Sequence, residues 1–217
     1  MPGKNIATLK KIDSYFIDSC QLNDLLSFMD KGVCISYKAG TSITLSSNEI
    51  LICVSGEILI SPNIEGGCAL GHAFEYMPIG LIERYNSAVP LRYDVQKEAR
   101  VISLSYEDFD EAIHASSIGS LYLNKVMAYM ISALVYINHE RNAGERYYTI
   151  RSLLYRYQYL YAGEVKSAES VSAFILKRTG LSRSYVFQIL SGLRDGGYIT
   201  INKGKMLSIN KTIPVKY

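Results

Sequence analysis

The stretch TGLSRSYVFQILSGLRDGGYI, residues 179–199, carries Arg183, Ser184 and Gln188 within six positions. Arginine pairs with guanine O6 and N7 through two hydrogen bonds, glutamine with adenine N6 and N7, and serine serves either base. Ser182 stands where a helix N-cap would, and its hydroxyl together with free backbone amides can hold a phosphate. Tyr185 adds a phenol beside that terminus, a further phosphate contact. Arg178 upstream and Lys203 and Lys205 downstream supply cations that meet phosphates without reading sequence. The chemistry on offer is recognition of an anionic polymer with patterned edges.

Residue sets for making and breaking bonds are sparse. The histidines are His72, His114 and His139. Only His72, with Glu75 three residues on, falls among strand-like segments, and one histidine does not make a metal site of the cupin kind. No P-loop, nucleophile elbow or HExxH is present. Cys20, Cys34, Cys53 and Cys68 form no CxxC pair, which disfavours zinc and iron–sulfur clusters. The expectation is reduced, buried thiols, with Cys34, Cys53 and Cys68 in strands. The chain reads as a non-enzyme without a cofactor.

Elements must hold those polar side chains in place. Val186, Ile189, Leu190 and Leu193 follow the i, i+3, i+4, i+7 spacing of one buried helical stripe. Ser182 starts that helix, and Gly196 and Gly197 stop it. Upstream, AESVSAFILKRTG reads as a helix with Val171, Phe174 and Ile175 inside, ended by Gly180. Downstream, YITINKGKMLSIN reads as two strands around a Lys203–Gly204–Lys205 turn. Helix, turn, polar-faced helix and basic hairpin make a winged helix–turn–helix, whose second helix enters the DNA major groove. Charge agrees with this. Residues 146–217 hold 12 Lys+Arg and 3 acids, a net of +9, against −6 for residues 1–145. A basic third on an acidic body marks an anion-binding module.

The 217 residues suit two domains. Residues 5–30 read as one or two short helices. From Val33 the period becomes two, with strands expected at 33–38, 41–46, 49–54, 57–61, 91–97 and 99–105, and turns at Gly40 and Ser55–Gly56. With short glycine-broken strands between, about eight are expected, enough for a small sandwich or barrel. The period returns to 3.6 after Ser105. A helix over about 117–142 repeats Tyr122, Val126, Tyr129, Ala133 and Tyr136 at heptad spacing, with Leu121, Met127, Ile131 and Leu134 opposite. Apolar on two faces, it should pack on the strand domain and on a second copy of itself, and the heptad seam is the expected dimer interface. Asn142–Glu145 is the expected hinge. The tyrosines of RYYTIRSLLYRYQYLYAG read as core. The expected divisions are 1–32 for N-terminal helices, 33–105 for the strand domain, 106–143 for the connector and dimer helix, and 144–217 for the DNA-binding domain. The longest apolar run, VMAYMISALVYI, is 12 residues, short of a membrane span, and the N-terminus lacks an apolar signal core. A soluble cytoplasmic protein is expected.

The order of elements resembles the CRP/FNR family of bacterial transcription regulators. Ser182, Arg183, Val186, Ile189, Leu190, Leu193, Gly197 and Ile199 match its recognition-helix pattern. LSRSYVFQILSGLRDGGYITINKGKMLSIN is also similar to a divergent enterobacterial branch, the inhibitors of hydrogen peroxide resistance. The resemblance implies an α+β fold: an N-terminal β-roll (a cyclic-nucleotide-binding-like jelly roll), a long dimerisation helix and a C-terminal winged helix–turn–helix. It implies a homodimer on an inverted repeat of double-stranded DNA, RNA polymerase as a further partner, no membrane, and a link to oxidative stress. Cyclic-nucleotide members carry a Gly-Glu turn and an Arg-Ser pair in the roll. Here Leu81 follows Gly80, no Arg-Ser is present, and Glu83 and Arg92 are out of register, so no cyclic nucleotide is expected. The alternative is a roll that binds a protein or senses a small ligand, with weak DNA binding.

Overall fold

The structure is a computed structural model that describes residues 2–20, 28–88, 90–115, 117–142, 145–161 and 169–217. The chain forms two compact units, residues 11–134 and residues 1–10 with 135–217.

In the first unit, β1 (Val33–Tyr37), β2 (Ser42–Ile43), β3 (Ile50–Pro62), β4 (Gly71–Ala73), β5 (Pro78–Ile79) and β6 (Leu91–Leu104) form one antiparallel sheet. β6 pairs with β1, β2 and β3, and β3 also pairs with β4 and β5. The two long strands each replace two expected short ones. Ser55–Gly56 is not a turn: the β3–β6 register shifts there and the strand bends without leaving the sheet. Gly56 has φ +100°, and a Cβ at this position would lie 2.4 Å from the Glu98 carbonyl oxygen, so only glycine fits the bulge. Among the described residues of this unit, six strands therefore stand where about eight were expected.

Helices α1 (Pro2–Ser19), α2 (Leu81–Tyr85), α3 (Tyr106–His114) and α4 (Ser117–Asn142) accompany the sheet. The second N-terminal helix expected near Leu22–Leu26 lies outside the described residues. Ser105 caps α3, accepting a hydrogen bond from the Asp108 amide at 3.0 Å. Phe28 stacks on Phe109 and meets Tyr122, and Phe16 meets Phe74 and Tyr129.

The faces of α4 are the reverse of those expected. Tyr122 and Val126 are buried in the core of the first unit, and the Tyr122 hydroxyl donates to the Tyr76 carbonyl at 2.6 Å. Tyr129 is half-buried and donates to Asp13, and Ala133 and Tyr136 are buried. The seam assigned to a second copy is thus already covered within one chain. Leu121, Met127, Ile131, Leu134 and Val135 are instead exposed by 44–65%. By length and composition Gly119–Asn142 is apolar enough to cross a membrane. It also carries Lys125, Glu140 and Arg141, and its Tyr122 and Val126 belong to a packed protein core, as in a helix of a soluble domain.

Of the four thiols, Cys20 and Cys53 are buried as expected, and Cys34 and Cys68 differ. Cys53 is buried in β3, and burial together with the nearby Glu75 charge pushes it up to about 12. Cys34 is exposed on β1, and Cys68 is half-buried in a loop rather than a strand.

In the second unit, α5 (Arg146–Tyr161), α6 (Val171–Arg178) and α7 (Arg183–Asp195) pack with the hairpin of β7 (Ile199–Asn202) and β8 (Lys205–Ile209). Tyr147, Tyr157 and Tyr161 enter its core as expected of aromatics at helical spacing, Tyr148 and Tyr155 are half-buried, and Tyr159 is exposed instead. The end of α4 is tied in through buried Glu140, which accepts from Ser152 at 2.6 Å and from Arg156 at 3.3 Å. Residues 143–144 of the expected hinge lie outside the described residues.

Candidate nucleic-acid interface

α7 is amphipathic because of one apolar row. Val186, Ile189, Leu190 and Leu193 are at most 4% exposed. Burial of each such side chain is worth about 1.5–3 kcal/mol, so the row fixes which face remains outside. Ser182 caps the helix, accepting from the Tyr185 amide at 3.4 Å. At the other end Gly197, with φ +69°, turns the chain left-handed, and the Tyr198 amide donates to the Leu193 carbonyl. Helix α7 therefore has the stop expected of its glycine pair.

The turn before α7 is built differently from the expectation. Gly180 has open space where a Cβ would stand, so nothing there demands glycine. Thr179 ends α6 instead. Its hydroxyl donates to the Ile175 carbonyl at 2.9 Å and accepts from the Leu181 amide at 3.4 Å. In the wing, Lys203 and Gly204 both have positive φ, +47° and +79°, as a tight two-residue hairpin turn requires.

Arg183, Ser184 and Gln188 are all exposed on the outer face of α7. The Ser184 hydroxyl lies 3.2 Å from that of Ser182. Lys203 is exposed at the wing tip, Lys205 is half-buried beside it, and Tyr185 is half-buried against the domain core. The sequence reading missed Phe187, 54% exposed on the same outer face. Its signal was available: it falls outside the 186–189–190–193 row, so a helical register turns it outward.

Arg178 is a correction. It is 4% exposed, with its guanidinium 3.3 Å from the buried Glu169 carboxylate and 3.7 Å from the Phe174 ring centroid. A second hydrogen bond runs to the Phe174 carbonyl. Its cation neutralises an internal acid and is not presented to a phosphate. Arg151 and Arg156 are buried too, the first donating to the Ile213 carbonyl. The +9 of this segment therefore overstates its surface charge.

The first unit holds a pocket of about 80 Å³ lined by residues such as Met77, Ile79, Leu91, Tyr129, Met130 and Ala133. No lysine or arginine lines it among the described residues. At its wall the Tyr93 hydroxyl donates to Glu83 at 2.6 Å, and burial and this bond raise the phenol far above its usual range. Arg92 is paired with Asp94 at 2.9 Å.

Comparison with known proteins follows these two parts. Residues 146–215 match the family described as winged helix-turn-helix DNA binding. Over 54 residues the chain is 46% identical to the inhibitor of hydrogen peroxide resistance of Escherichia coli strain K12. That match takes in 25% of this chain and 26% of the relative, so it spans about a quarter of each. A solved transcriptional regulator assigned to the CRP/FNR family, from Eubacterium rectale, is similar over 89% of this chain and 92% of its own, with a TM-score of 0.68 and 16% identity. The c-di-GMP-responsive global regulator CLP of Xanthomonas campestris is similar over 88% of this chain and all of its own, with a TM-score of 0.67 and 11% identity. The architecture is the α+β fold shared with these regulators: a strand domain, a long helix and a winged helix–turn–helix.

Proposed function

We propose that this chain, with the fold of the CRP/FNR regulators and a winged helix–turn–helix of the DNA-binding family at residues 146–215, is a sequence-specific transcription regulator. It acts in the cytoplasm as a homodimer on an inverted repeat, without cyclic nucleotide. The observation that carries this reading is the outer face of α7, where Arg183, Ser184 and Gln188 are exposed and an apolar row behind them fixes their orientation. Side chains of these types on the first turns of a second helix suit base edges in the major groove.

Homodimerisation rests on the outer side of α4. Asn124, Met127, Ile131, Leu134 and Asn138 are all exposed and repeat at 3, 4, 3, 4, a coiled-coil seam with polar residues at each end. A second copy of the same helix covers such a row symmetrically. The pocket's described lining holds no lysine or arginine, its one imidazole, His72, faces Glu57 at 3.0 Å, and Arg92 is paired with Asp94; these support a roll that holds no cyclic phosphate. The link to peroxide rests on the relative's name alone and is part of the proposal. A second reading is favoured by the pocket itself: its apolar lining, shared between sheet and α4, suits a small apolar effector that would set the position of that helix. Selection of duplexes from a random pool by the purified protein, at physiological salt, tests the first reading. An enriched inverted repeat supports it, and recovery of random sequence overturns it.

A further inference from the structure

We infer that Phe187 is a specificity-determining residue that reads the C5-methyl group of a thymine in the operator. This rests on the proposal that α7 is the recognition helix. Phe187 lies one turn beyond Arg183 and next to Gln188, on the face that the buried row turns outward. It is 54% exposed and lies outside the hydrophobic cluster of its domain. A phenyl ring in that place does no packing work comparable to Val186 or Ile189, which are at most 1% exposed. It also has nothing to offer a phosphate.

The major groove presents hydrogen-bonding groups from all four bases, and one apolar group, the thymine methyl. An apolar side chain carried into that groove thus has one base to recognise. Wedge insertion between base steps is a minor-groove device and does not apply to a helix in the major groove. Four residues separate Arg183 from Phe187, roughly 6 Å along the helix at 1.5 Å per residue. The base-pair step is about 3.4 Å, so the thymine should fall within about two base pairs of the base that Arg183 reads. Arg183, Phe187 and Gln188 then read a short block of mixed composition: a guanine, a thymine and an adenine.

The test uses the full-length protein and a duplex that it has enriched from a random pool. Each thymine of one half-site is replaced in turn by deoxyuridine, which removes only the methyl. Burial of one methyl is worth about 0.8 kcal/mol, so wild type should lose about fourfold in affinity at one position per half-site. Phe187→Ala should bind the parent site more weakly and show no loss at that position. Phe187→Leu, which keeps an apolar tip, should retain part of the loss. Thermal melts of both variants should match wild type, because the ring is half in solvent. Restoring the methyl as 5-methylcytosine, in a G·C pair at that step, should recover affinity over plain cytosine in wild type but not in Phe187→Ala. Equal affinity of wild type for every uridine-substituted site overturns the inference. So does a uridine effect that is as large in Phe187→Ala as in wild type, which would place Phe187 on a protein partner or in solvent. If wild type enriches no sequence, the recognition-helix proposal falls, and this inference with it.

Discussion

Replacing Ile131 with glutamate should separate two copies of the chain without unfolding either. Ile131 is 57% exposed in the single chain, between Met127 and Leu134 on the outer row of α4. If a second copy covers that row, each isoleucine moves from partial exposure to burial. Full burial of such a side chain is worth about 1.5–3 kcal/mol, and a two-fold interface counts each change twice, giving about 3–6 kcal/mol as an upper bracket. The dimer dissociation constant should then rise by about two to four orders of magnitude, and more if the carboxylate is forced to stay charged. Val126→Glu is the contrast. Val126 has no exposed surface and lies in the core of the first unit, so a carboxylate there should unfold that unit rather than divide a dimer. Sedimentation velocity over a micromolar range, with thermal melts of both variants, separates the two effects. Wild type that is monomeric throughout, or Ile131→Glu that sediments as wild type, would refute this assignment of the faces.

Lys203→Ala should weaken binding to every duplex alike and reduce the slope of log affinity against log salt by about one unit, as the loss of one phosphate contact does; a fluorescence salt titration on cognate and random duplexes checks this. Arg178→Ala should act on folding, since it removes the buried cation 3.3 Å from Glu169. Breaking such a pair costs about 3–5 kcal/mol, an upper bracket here because Lys177, 3.1 Å from the same carboxylate, still faces it; a urea melt that leaves stability unchanged would count against this internal role for Arg178. Cys53 gives a pH dependence. Its native thiol is raised to about 12, so stability is fully present below the unfolded value near 9 and falls by about 1.4 kcal/mol per pH unit as pH rises from there towards 12. Cys53→Ala should show a shallower alkaline loss in parallel urea melts, and equal slopes would count against burial of the thiol.

The recognition helix was legible because its signal is local. One apolar row at 3.6 spacing, a serine before it and a glycine pair after it define both the helix and its outer face. The strand region was legible as strands, but β3 and β6 were each split in two. Ser55–Gly56 has the composition of a turn, and only pairing with β6 across 45 or so residues of chain makes it a bulge. The faces of α4 were beyond periodicity. Tyr122 and Leu121 lie on different apolar rows, and the choice between them is made by distant partners such as the Tyr76 carbonyl. Arg178 misled for the same reason: beside a DNA-facing turn a cation reads as a phosphate contact until Glu169 is seen buried against it. Phe187 is legible only by contrast: it is a large apolar side chain exposed on a face otherwise made of polar residues.

The most direct measurement of the central claim is the affinity of wild type, Arg183→Ala and Gln188→Ala for the same enriched duplex and for single base-pair variants of it. Each alanine should cost about 1–3 kcal/mol on the cognate site and relax preference at one base pair in each half-site, with half-sites about 34–36 Å apart by footprinting. Cognate affinity untouched in both variants would show that α7 is not the face that reads DNA.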